Sequence, residues 1–600
     1  MTTFAKQATL PSLPVPPLKD SLEKYVESAN VLLSPEEQRR LRQNVDKFAG
    51  SELAVQLQAA LEKKALNERN WLEEWWYDAY NEIREPLEPF VSFAALNSHF
   101  VSLEGSQLCR AADVLHLWAR VWHKIRSEQW PVTASRGVVW DMSQFHNLLN
   151  SRRTPKAPKD VIERSFKTKS EGKCPSGAVV NCRGVLWLIN LVDSAENVKS
   201  PDELYKVLDF IAKNSKRNNS CVSILTTSHR DTWAENRAKL IGISKQNEEL
   251  LQSLEESVLV LTLADKSLAD HQNTMRDVFM DESWYVWQDK SLNVVIYEDG
   301  QNATHGEHSN VDAIVVLQTS DEVATKVRKE LWIPEDVDFE MPQRLDFELD
   351  QALRDVISEA DQTFHKTKEA FRARVVHFRG YGNDKCRASK LYTDTLVQIA
   401  LQLAFVKTHG FLAPIYETAS TRKFFHGRTE TVRGCTRQFS AFAKKVFENA
   451  PLTEQQKLFG EAVAAHNFLM EECMEGRGFD RHLFGLRKTL ELFNRGCSPK
   501  RPLPEFLQDD TWTKAGGGGN FLLSTSLTGY MAGDELGAYG YVNAMRPDGY
   551  GCFYRIGKTR ITVTVSDWKG SKSNIDAFCD AISWAFNHLE SLLPAAPSKL

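Results

Sequence analysis

The chain has 600 residues, of which 42% are hydrophobic and 26% charged, and its formal net charge is −5 at pH 7. These are ordinary values for a globular protein, and the length predicts more than one domain. Because a negative chain offers no general field to attract phosphate, a general nucleic-acid binder is excluded. We find no apolar run long enough to span a membrane. Ten dispersed cysteines, none in a Cys-x-x-Cys pair, predict reduced thiols.

In chain order, the first predicted elements are a proline-rich extended segment at residues 11–17 and a helix that begins at Ser34-Pro35-Glu36-Glu37. From residue 178 onward, short β-branched and apolar runs predict strands. These strands are predicted at 178–192 (two strands around a turn), 221–226, 258–263, 293–297, 313–317 and 561–565. Helical patterns between several of them, and one that begins at Thr393, predict α/β layering.

Two histidines, His305 and His308, lie between the strands predicted at 293–297 and 313–317. Loops at strand ends commonly carry functional groups, and an imidazole exchanges protons near neutral pH, so His308 is a candidate general base. Asp312 is close enough in sequence to fix the tautomer or to orient the loop. Two alternatives stay open from the residues alone: a metal-binding pair, although no further ligand pattern completes it, or a surface histidine without function.

Two further stretches are rich in polar side chains. Residues 416–433 are dense in hydroxyls and arginines, which favours a polar, anionic ligand, although a solvated, salt-bridged surface has the same composition. Ser524-Thr525-Ser526 ends an apolar run, and strand alternation places Ser524 and Ser526 on one face. Hydroxyl donors aimed at one point can stabilise an oxyanion, although an ordinary sheet edge would also fit this pattern.

Together with a proline motif at 10–16, these stretches resemble, in the same order, the motifs of the choline/carnitine acyltransferase family, and the resemblance covers residues 10–595. It implies an α/β fold of two chloramphenicol-acetyltransferase-like domains with the active-site tunnel between them. One domain would span residues 68–350, and residues 1–67 would join residues 351–600 in the other. Coenzyme A and carnitine would enter the tunnel from opposite ends of a monomer.

The family transfers an acyl group reversibly between coenzyme A and the hydroxyl of a small quaternary-ammonium alcohol, without an acyl-enzyme. By this resemblance, His308 is the general base that takes the proton of the alcohol, Asp312 supports the histidine, and Ser526 donates to the tetrahedral oxyanion. Coenzyme A and acyl-CoA are substrates, and the resemblance implies neither a bound cofactor nor a metal.

The acceptor is indicated by a single position. Carnitine differs from choline by a carboxylate, which a buried site holds only with a positive partner. Where carnitine enzymes carry arginine and choline acetyltransferases carry asparagine, this chain has Arg481. The resemblance therefore implies carnitine as the acceptor, with Tyr416, Thr429 and Ser524 as further carnitine-binding residues.

The coenzyme A site departs from the family pattern. The family places lysines before the helix that begins at Thr393; here the first lysine aligns with Asn383 and the second with Arg387. In this interpretation, nearby lysines compensate for the asparagine. The residues expected to bind coenzyme A are Lys385, Arg387, Lys390, Asp394, Thr418 and Ser420.

One position sets the acyl-chain length in the family, and a methionine blocks it in acetyl-specific members. That position aligns here with Gly540, or with Gly537 if the longer loop is placed differently. A small residue leaves room for more methylenes, so a medium-chain acyl group is expected. A short-chain carnitine acetyltransferase and an inactive sensor of acyl-CoA or carnitine are the alternatives, and a hydrolase is disfavoured because no nucleophile elbow is present.

The C-terminal tripeptide Ser598-Lys599-Leu600 matches a peroxisomal address that an import receptor reads. A chance tail is the alternative, but the preceding small, proline-containing stretch would hold the tripeptide away from the fold. Residues 524–530 and the glycines at 516–519 most resemble the peroxisomal medium-chain branch of the family. Both observations predict a peroxisomal enzyme that the import receptor binds.

Overall fold

The structure, a computed structural model, describes residues 2–97, 105–135, 137–268, 274–530 and 538–593. The Ser598-Lys599-Leu600 tripeptide and Gly537 therefore lie outside the described residues. Within these ranges, no helix combines the length and the apolar character needed to cross a bilayer.

Helices lie at the N-terminus, between the strands and at the end of the chain. Their bounds are α1 Leu18–Asn30, α2 Pro35–Ala49, α3 Glu52–Asn67, α4 Glu73–Asn81, α5 Leu87–Phe90, α6 Gln107–Arg126, α7 Pro201–Asn214, α8 Arg230–Ile243, α9 Lys245–Glu256, α10 Thr274–Phe279, α11 Ala313–Lys326, α12 Gln351–Ala370, α13 Asn383–Ala388, α14 Thr393–His409, α15 Arg437–Phe447, α16 Leu452–Met474, α17 Asp480–Phe493, α18 Asp510–Lys514 and α19 Ile575–Glu590. The predicted start of α2 is confirmed, because Ser34 and Glu37 form a reciprocal capping box.

The strands are short, and most of them alternate with helices. Their bounds are β1 Phe93–Asn97, β2 Ala134–Ser135, β3 Val138–Val139, β4 Ser151–Thr154, β5 Val161–Arg164, β6 Gly177–Cys182, β7 Val185–Asn190, β8 Val260–Leu263, β9 Leu292–Ile296, β10 Asn302–Gly306, β11 Gln343–Arg344, β12 Phe371–Phe378, β13 Ile415–Ser420, β14 Thr429–Val432, β15 Leu523–Tyr530, β16 Ala538–Gly540, β17 Tyr550–Ile556 and β18 Ile561–Trp568.

Most of these strands belong to two mixed sheets. In the described chain, the first sheet has the order β11-β7-β6-β8-β9-β10-β1-β16 and the second has the order β12-β18-β17-β15-β13-β14. Strand β16 comes from the C-terminal part of the chain but pairs with β1, where Gly540 lies opposite Ala95. The α/β class and the two sheet-containing halves predicted from the sequence are confirmed.

The two sheets are covered differently. Alternate residues of the first sheet pack into apolar cores on its two faces, with Val180 and Val294 in one core and Val179 and Val295 in the other. One face of the second sheet packs on helices α14 and α19. Its other face carries most of the predicted substrate-binding side chains, as the next subsection describes.

The N-terminal helices pack on the C-terminal part of the chain. Leu22 of α1, Leu41 of α2 and Leu57 of α3 share one buried cluster with Leu483 of α17 and with Phe506. This packing is the arrangement expected if residues 1–67 belong with residues 351–600. The boundaries at 68 and 350 themselves stay a prediction.

Two predicted strands are wrong. Residues 313–317 begin helix α11, and residues 222–227 form a 3-10 helix. A short apolar run does not distinguish a strand from a buried helix, and the buried side chains of α11 recur with helical spacing. In the 3-10 helix, the hydroxyls of Thr226 and Thr227 donate to carbonyls three residues earlier, which favours a local turn over a strand ladder.

Candidate active site

His308 lies in the loop that joins β10 to α11, not between two strands. Its Nδ1 is 3.0 Å from the carbonyl oxygen of Val311. A carbonyl oxygen only accepts hydrogen bonds, so Nδ1 carries the proton and donates. The neutral imidazole therefore keeps its lone pair on Nε2, which is the arrangement that a general base requires.

The imidazole is enclosed by aromatic rings. The centroid of the Tyr80 ring is 5.5 Å from that of His308, and the Phe93 ring stands at 88° to it at 5.3 Å. Burial lowers the pKa of His308 below its ordinary value, and the nearby Asp312 carboxylate does not offset this effect. The base form therefore predominates at neutral pH.

Asp312 supports the loop through Arg428 instead of bonding to the imidazole. Its carboxylate accepts from Arg428 Nε at 2.9 Å and from Gln144 Nε2 at 2.9 Å. The remaining guanidinium nitrogens of Arg428 donate to the carbonyls of His308 and Ser309, at 3.0 and 2.9 Å. Burial raises the pKa of Asp312, but the nearby charges, that of Arg428 foremost, and the hydrogen bonds from Gln144 and Arg428 together hold that pKa below its ordinary value. The carboxylate is thus ionised at neutral pH.

A second carboxylate fixes the turn after His308. Glu307 accepts from the backbone amides of Ser309 and Asn310 at 3.0 and 3.2 Å and from both of their side chains. The buried Arg153 donates to the Ser309 hydroxyl at 3.0 Å. The four hydrogen bonds to one carboxylate order the loop before any substrate arrives.

The other histidine of the motif has a structural partner. Nδ1 of His305 is 2.8 Å from a carboxylate oxygen of Glu88, and both side chains are buried. Among the described residues, no group of three or more potential ligands could hold a metal ion. The two histidines of the motif thus have different partners.

One face of the second sheet gathers the predicted polar residues. On β13, Tyr416, Thr418 and Ser420 alternate with more deeply buried residues and so share a face. Tyr416 is opposite Ser524 in the parallel pair β13–β15, and Ser420 is opposite Thr429 in the antiparallel pair β13–β14. Three adjacent strands therefore present these side chains to the same side.

Arg481 lies over this face, in the first turn of α17. Its guanidinium donates to the hydroxyls of Thr429 and Thr431 at 3.2 and 3.1 Å, and its centre is 4.0 Å from the Trp76 ring. The side chain is buried, so its charge has few water contacts. A buried, oriented guanidinium of this kind is suited to bind a carboxylate.

Glu430 lies behind this arginine. Its carboxylate oxygens accept from the backbone amide of Arg481, each at 3.3 Å. Burial raises the pKa of Glu430 to about 7, although the Arg481 charge lowers it. Through its hydrogen bonds to the Arg481 backbone amide, Glu430 fixes the first turn of α17.

Ser526 lies next to an apolar cluster. It is opposite Phe553 in the parallel pair β15–β17, so both side chains point to the same face. Phe553 packs with Ala95 and Leu317. The Phe553 ring also occupies the position that a Cβ at Gly540 would take. The expected oxyanion donor and the expected acyl-pocket residue are thus brought together by Phe553.

The predicted coenzyme A residues have different surroundings. Arg387 and Lys390 are exposed, whereas Lys385 forms an ion pair with Glu590. Asp394 accepts from the hydroxyl of Tyr554. Arg387 and Lys390 are therefore the most available to a phosphate.

The residue that replaces the first family lysine has a structural contact. Asn383 Oδ1 accepts from the Thr393 hydroxyl at 3.0 Å, beside the start of α14. Its backbone N–H donates to the carbonyl of Gly557 at 2.9 Å. Asn383 therefore joins α13 to the β17–β18 turn and to α14 instead of supplying a charge.

Several residues of the site escape sequence reasoning. Arg428 lies inside the stretch 416–433, but its bond to Asp312 joins positions 116 residues apart. Tyr80 and Trp76 lie in an aromatic-rich helix that is typical of core packing. Phe553 is one of many apolar strand residues. Only the tertiary contacts distinguish these side chains from structural ones.

The fold and the site together define an acyltransferase. A model of the choline/carnitine O-acyltransferase family matches residues 13–584, and the chain belongs to this family. The chain is similar to the peroxisomal carnitine O-octanoyltransferase of Homo sapiens, with 34% identity over 94% of this chain and 93% of that protein. It is also similar to the carnitine O-acetyltransferase of Homo sapiens, with 29% identity over 99% and 95%.

Among solved structures, the trichothecene 15-O-acetyltransferase of Fusarium sporotrichioides aligns with a TM-score of 0.38 and 9% identity. The alignment covers 86% of this chain and 93% of that one.

Proposed function

We propose that the protein transfers a medium-chain acyl group reversibly between coenzyme A and the hydroxyl of carnitine. One observation carries this proposal: Arg428 ties the His308 loop to the strand that bears Thr429, next to the buried Arg481. A neutral imidazole is thereby fixed near a guanidinium that suits the carboxylate of carnitine. The similarity to carnitine acyltransferases supports the same acceptor.

The proposed reaction needs no covalent enzyme intermediate. Nε2 of His308 accepts the proton of the carnitine hydroxyl as its oxygen forms a bond to the thioester carbonyl carbon. The carbonyl electrons move to oxygen, and the Ser526 hydroxyl donates a hydrogen bond to this oxyanion. When the carbonyl re-forms, the carbon–sulfur bond breaks and the imidazolium returns its proton to the coenzyme A sulfur. Asp312 acts through Arg428 by holding the histidine loop.

Carnitine would lie across the common face of the second sheet. Its carboxylate would bind Arg481 and the hydroxyls of Tyr416, Thr429 and Ser524. Its trimethylammonium group would lie near the oxyanion and reduce the charge that Ser526 must stabilise. No metal or bound cofactor takes part in these steps.

Coenzyme A would approach along α13 and α14, past Asp394, Thr418 and Ser420. Its phosphates would bind Arg387 and Lys390, with Lys385 contributing if it leaves Glu590. Two exposed cations attract a phosphate monoester more strongly than one because both bind it with charge-assisted hydrogen bonds.

We expect Arg387→Ala combined with Lys390→Ala to raise the KM for octanoyl-CoA roughly tenfold, since each of two exposed ion pairs contributes about 0.2–1 kcal/mol. The KM for 3′-dephospho-octanoyl-CoA should stay unchanged in the same variant. Lys407→Ala, which removes an exposed cation stacked on Trp584, is the matched control. Equal losses with both thioesters would contradict a contact to the 3′-phosphate.

The acyl chain would extend from Ser526 toward Gly540, where the Phe553 ring now lies. A medium chain then requires the ring to turn aside, and because Gly540 has no Cβ the vacated space would stay free for the chain. A ring that stays in place fills the space next to Gly540 that a longer acyl chain would need, and this contact favours the short-chain carnitine acetyltransferase as the second candidate function.

Gly540→Met should lower kcat/KM for octanoyl-CoA relative to acetyl-CoA by roughly 100-fold or more, because each excluded methylene costs about 1–3 kcal/mol and exclusion of one or two already reaches that value. CoA release measured over a series of acyl-CoA lengths, with carnitine as acceptor, provides the test. Gly460→Met is the control, since a Cβ at that helical glycine meets nothing within 4 Å. An unchanged chain-length profile would refute the acyl-pocket assignment, and a wild-type preference for acetyl-CoA would support the short-chain candidate.

The proposed cellular site is the peroxisome, with the import receptor recognising Ser598-Lys599-Leu600. The peroxisomal name of the octanoyltransferases that the chain resembles supports this location. The enzyme is proposed to act as a monomer. Fusion of the last ten residues to a fluorescent protein, with and without Leu600, tests whether the tripeptide directs import.

A further inference from the structure

The face of β15 that points away from the candidate site, toward α14, carries a buried hydroxyl at Thr525. Thr525 lies between Ser524 and Ser526, so its side chain points to the opposite face of β15. On that face, Leu523 and Leu527 pack into the core under α14. Thr525 is buried at 1% exposure, in an otherwise apolar layer, so its hydroxyl requires a partner.

The partner is Gln398 of α14, which is fully buried. Its Nε2 donates to the Thr525 hydroxyl at 2.9 Å and to the Tyr554 hydroxyl at 2.8 Å. Both amide protons are therefore used. The Tyr554 hydroxyl donates a hydrogen bond to the Asp394 carboxylate, and the Thr525 hydroxyl donates to the main-chain carbonyl of Tyr416 at 2.8 Å.

The Thr525 hydroxyl has two acceptors within reach, the Tyr416 carbonyl at 2.8 Å and Gln398 Oε1 at 3.4 Å, and the carbonyl is the nearer one. Because Gln398 Nε2 can only donate, Thr525 accepts from it and must direct its single proton elsewhere. The Tyr416 carbonyl receives that proton across the gap between β15 and β13. The Thr525 hydroxyl thus links the oxyanion strand to the backbone of a residue in the carnitine site.

This link falls at the shortest strand pairing in the described part of the second sheet. Strands β13 and β15 pair in parallel over only three positions, from Ile415 opposite Leu523 to Glu417 opposite Thr525. Parallel pairing is slightly less stable per residue than antiparallel pairing, and a slip of one residue would turn the serines away from the site. A side-chain bond between the two strands opposes such a slip.

We propose that Thr525 and Gln398 are positioning residues that keep Ser526 and Tyr416 in register across β13 and β15. The proposal rests on the proposed function, because Ser526 and Tyr416 act on the oxyanion and on carnitine only if that function holds. Neither Thr525 nor Gln398 would touch a substrate, and their effect would pass through the two strands.

Thr525→Val removes the hydroxyl and keeps the shape of the side chain. We expect kcat for octanoyl transfer, per folded molecule, to fall roughly 10- to 100-fold, because small misplacements of reacting groups have effects of this size. The KM for carnitine should rise as Tyr416 shifts, while the KM for octanoyl-CoA stays within twofold. Thr525→Ser restores the hydroxyl and should recover most of the kcat.

Thr562→Val is the matched control, because Thr562 is also buried, in β18, and its hydroxyl has no hydrogen-bond partner among the residues that the structure describes. Gln398→Met removes the donor that orients the Thr525 hydroxyl toward the Tyr416 carbonyl, so it should cause a smaller fall in kcat with the same rise in the KM for carnitine, and it tests the proposal if the valine variant does not fold. Combined with Thr525→Val it should add little further loss, since both changes break one chain of bonds.

A purely structural role predicts another outcome, in which Thr525→Val lowers the amount of folded protein but leaves its kcat and carnitine KM equal to those of Thr562→Val. That result would overturn the proposal. Failure of the proposed function is distinguishable, because the wild-type enzyme would then transfer no acyl group to carnitine.

Discussion

Replacing His308 with alanine should lower kcat for acyl transfer by about 10²- to 10⁴-fold, the contribution typical of a positioned general base. Carnitine and coenzyme A should still bind, because the proposed contacts to both substrates lie on other residues. Product formation from octanoyl-CoA and carnitine, together with calorimetric binding of each substrate, measures the two effects separately. His229→Ala, which changes an exposed histidine, is the control.

The pH dependence of the wild-type enzyme follows from the same group. A general base works only when deprotonated, so kcat/KM should rise with pH through the pKa of His308 and then level off. Because burial lowers that pKa, this rise should be centred below the ordinary histidine value of about 6.5. The rise should disappear in His308→Ala. A variant that keeps the activity and the acidic limb of the wild type would exclude His308 as the base.

Replacing Arg481 with asparagine should lower kcat/KM for carnitine by roughly 100-fold or more, since removing one partner of a buried charge pair costs about 3–5 kcal/mol. The carboxylate of carnitine would lose its positive partner, whereas choline has no carboxylate to lose. Activity with choline should therefore stay equal or increase. The ratio of kcat/KM for carnitine to that for choline is the quantity to measure.

A matched control is available close to this position. Arg477→Asn removes an exposed arginine that pairs with Glu472 at 2.7 Å, and it should leave the acceptor ratio unchanged. If Arg481→Asn lowered kcat/KM equally with carnitine and with choline, Arg481 would support the fold and would not bind the carboxylate. Because Arg481 also donates hydrogen bonds to Thr429 and Thr431, the free energy of unfolding of the Arg481→Asn variant must be measured as well.

The sequence predicts much of the fold where local and tertiary preferences agree. The Ser34 cap, the hairpin of β6 and β7, and the strands at 260–263 and 292–296 all follow from local patterns. The run at 313–317 does not, because β-branched residues favour a strand while burial on one helical face decides for α11. Propensity alone is weaker than this tertiary packing.

In the candidate site, too, some residues can be predicted from the sequence and others cannot. His308, Ser526 and Arg481 are predicted as site residues from motif resemblance, because the chemistry of the family constrains their residue types. The contacts that hold them are not found, since Arg428 and Gln398 reach across more than a hundred residues. An arginine or a glutamine has no local pattern that reveals such a partner. The Phe553 ring over Gly540 is likewise visible only after β16 and β17 are placed.

The central claim, that the protein is a carnitine acyltransferase, is tested most directly by incubating the wild-type enzyme with octanoyl-CoA and either carnitine or choline. We predict that free coenzyme A and octanoylcarnitine appear in equal amounts with carnitine and that choline gives little product. Absence of transfer from octanoyl-CoA and from every other acyl-CoA would instead indicate a sensor, and a preference for choline would contradict the role of Arg481.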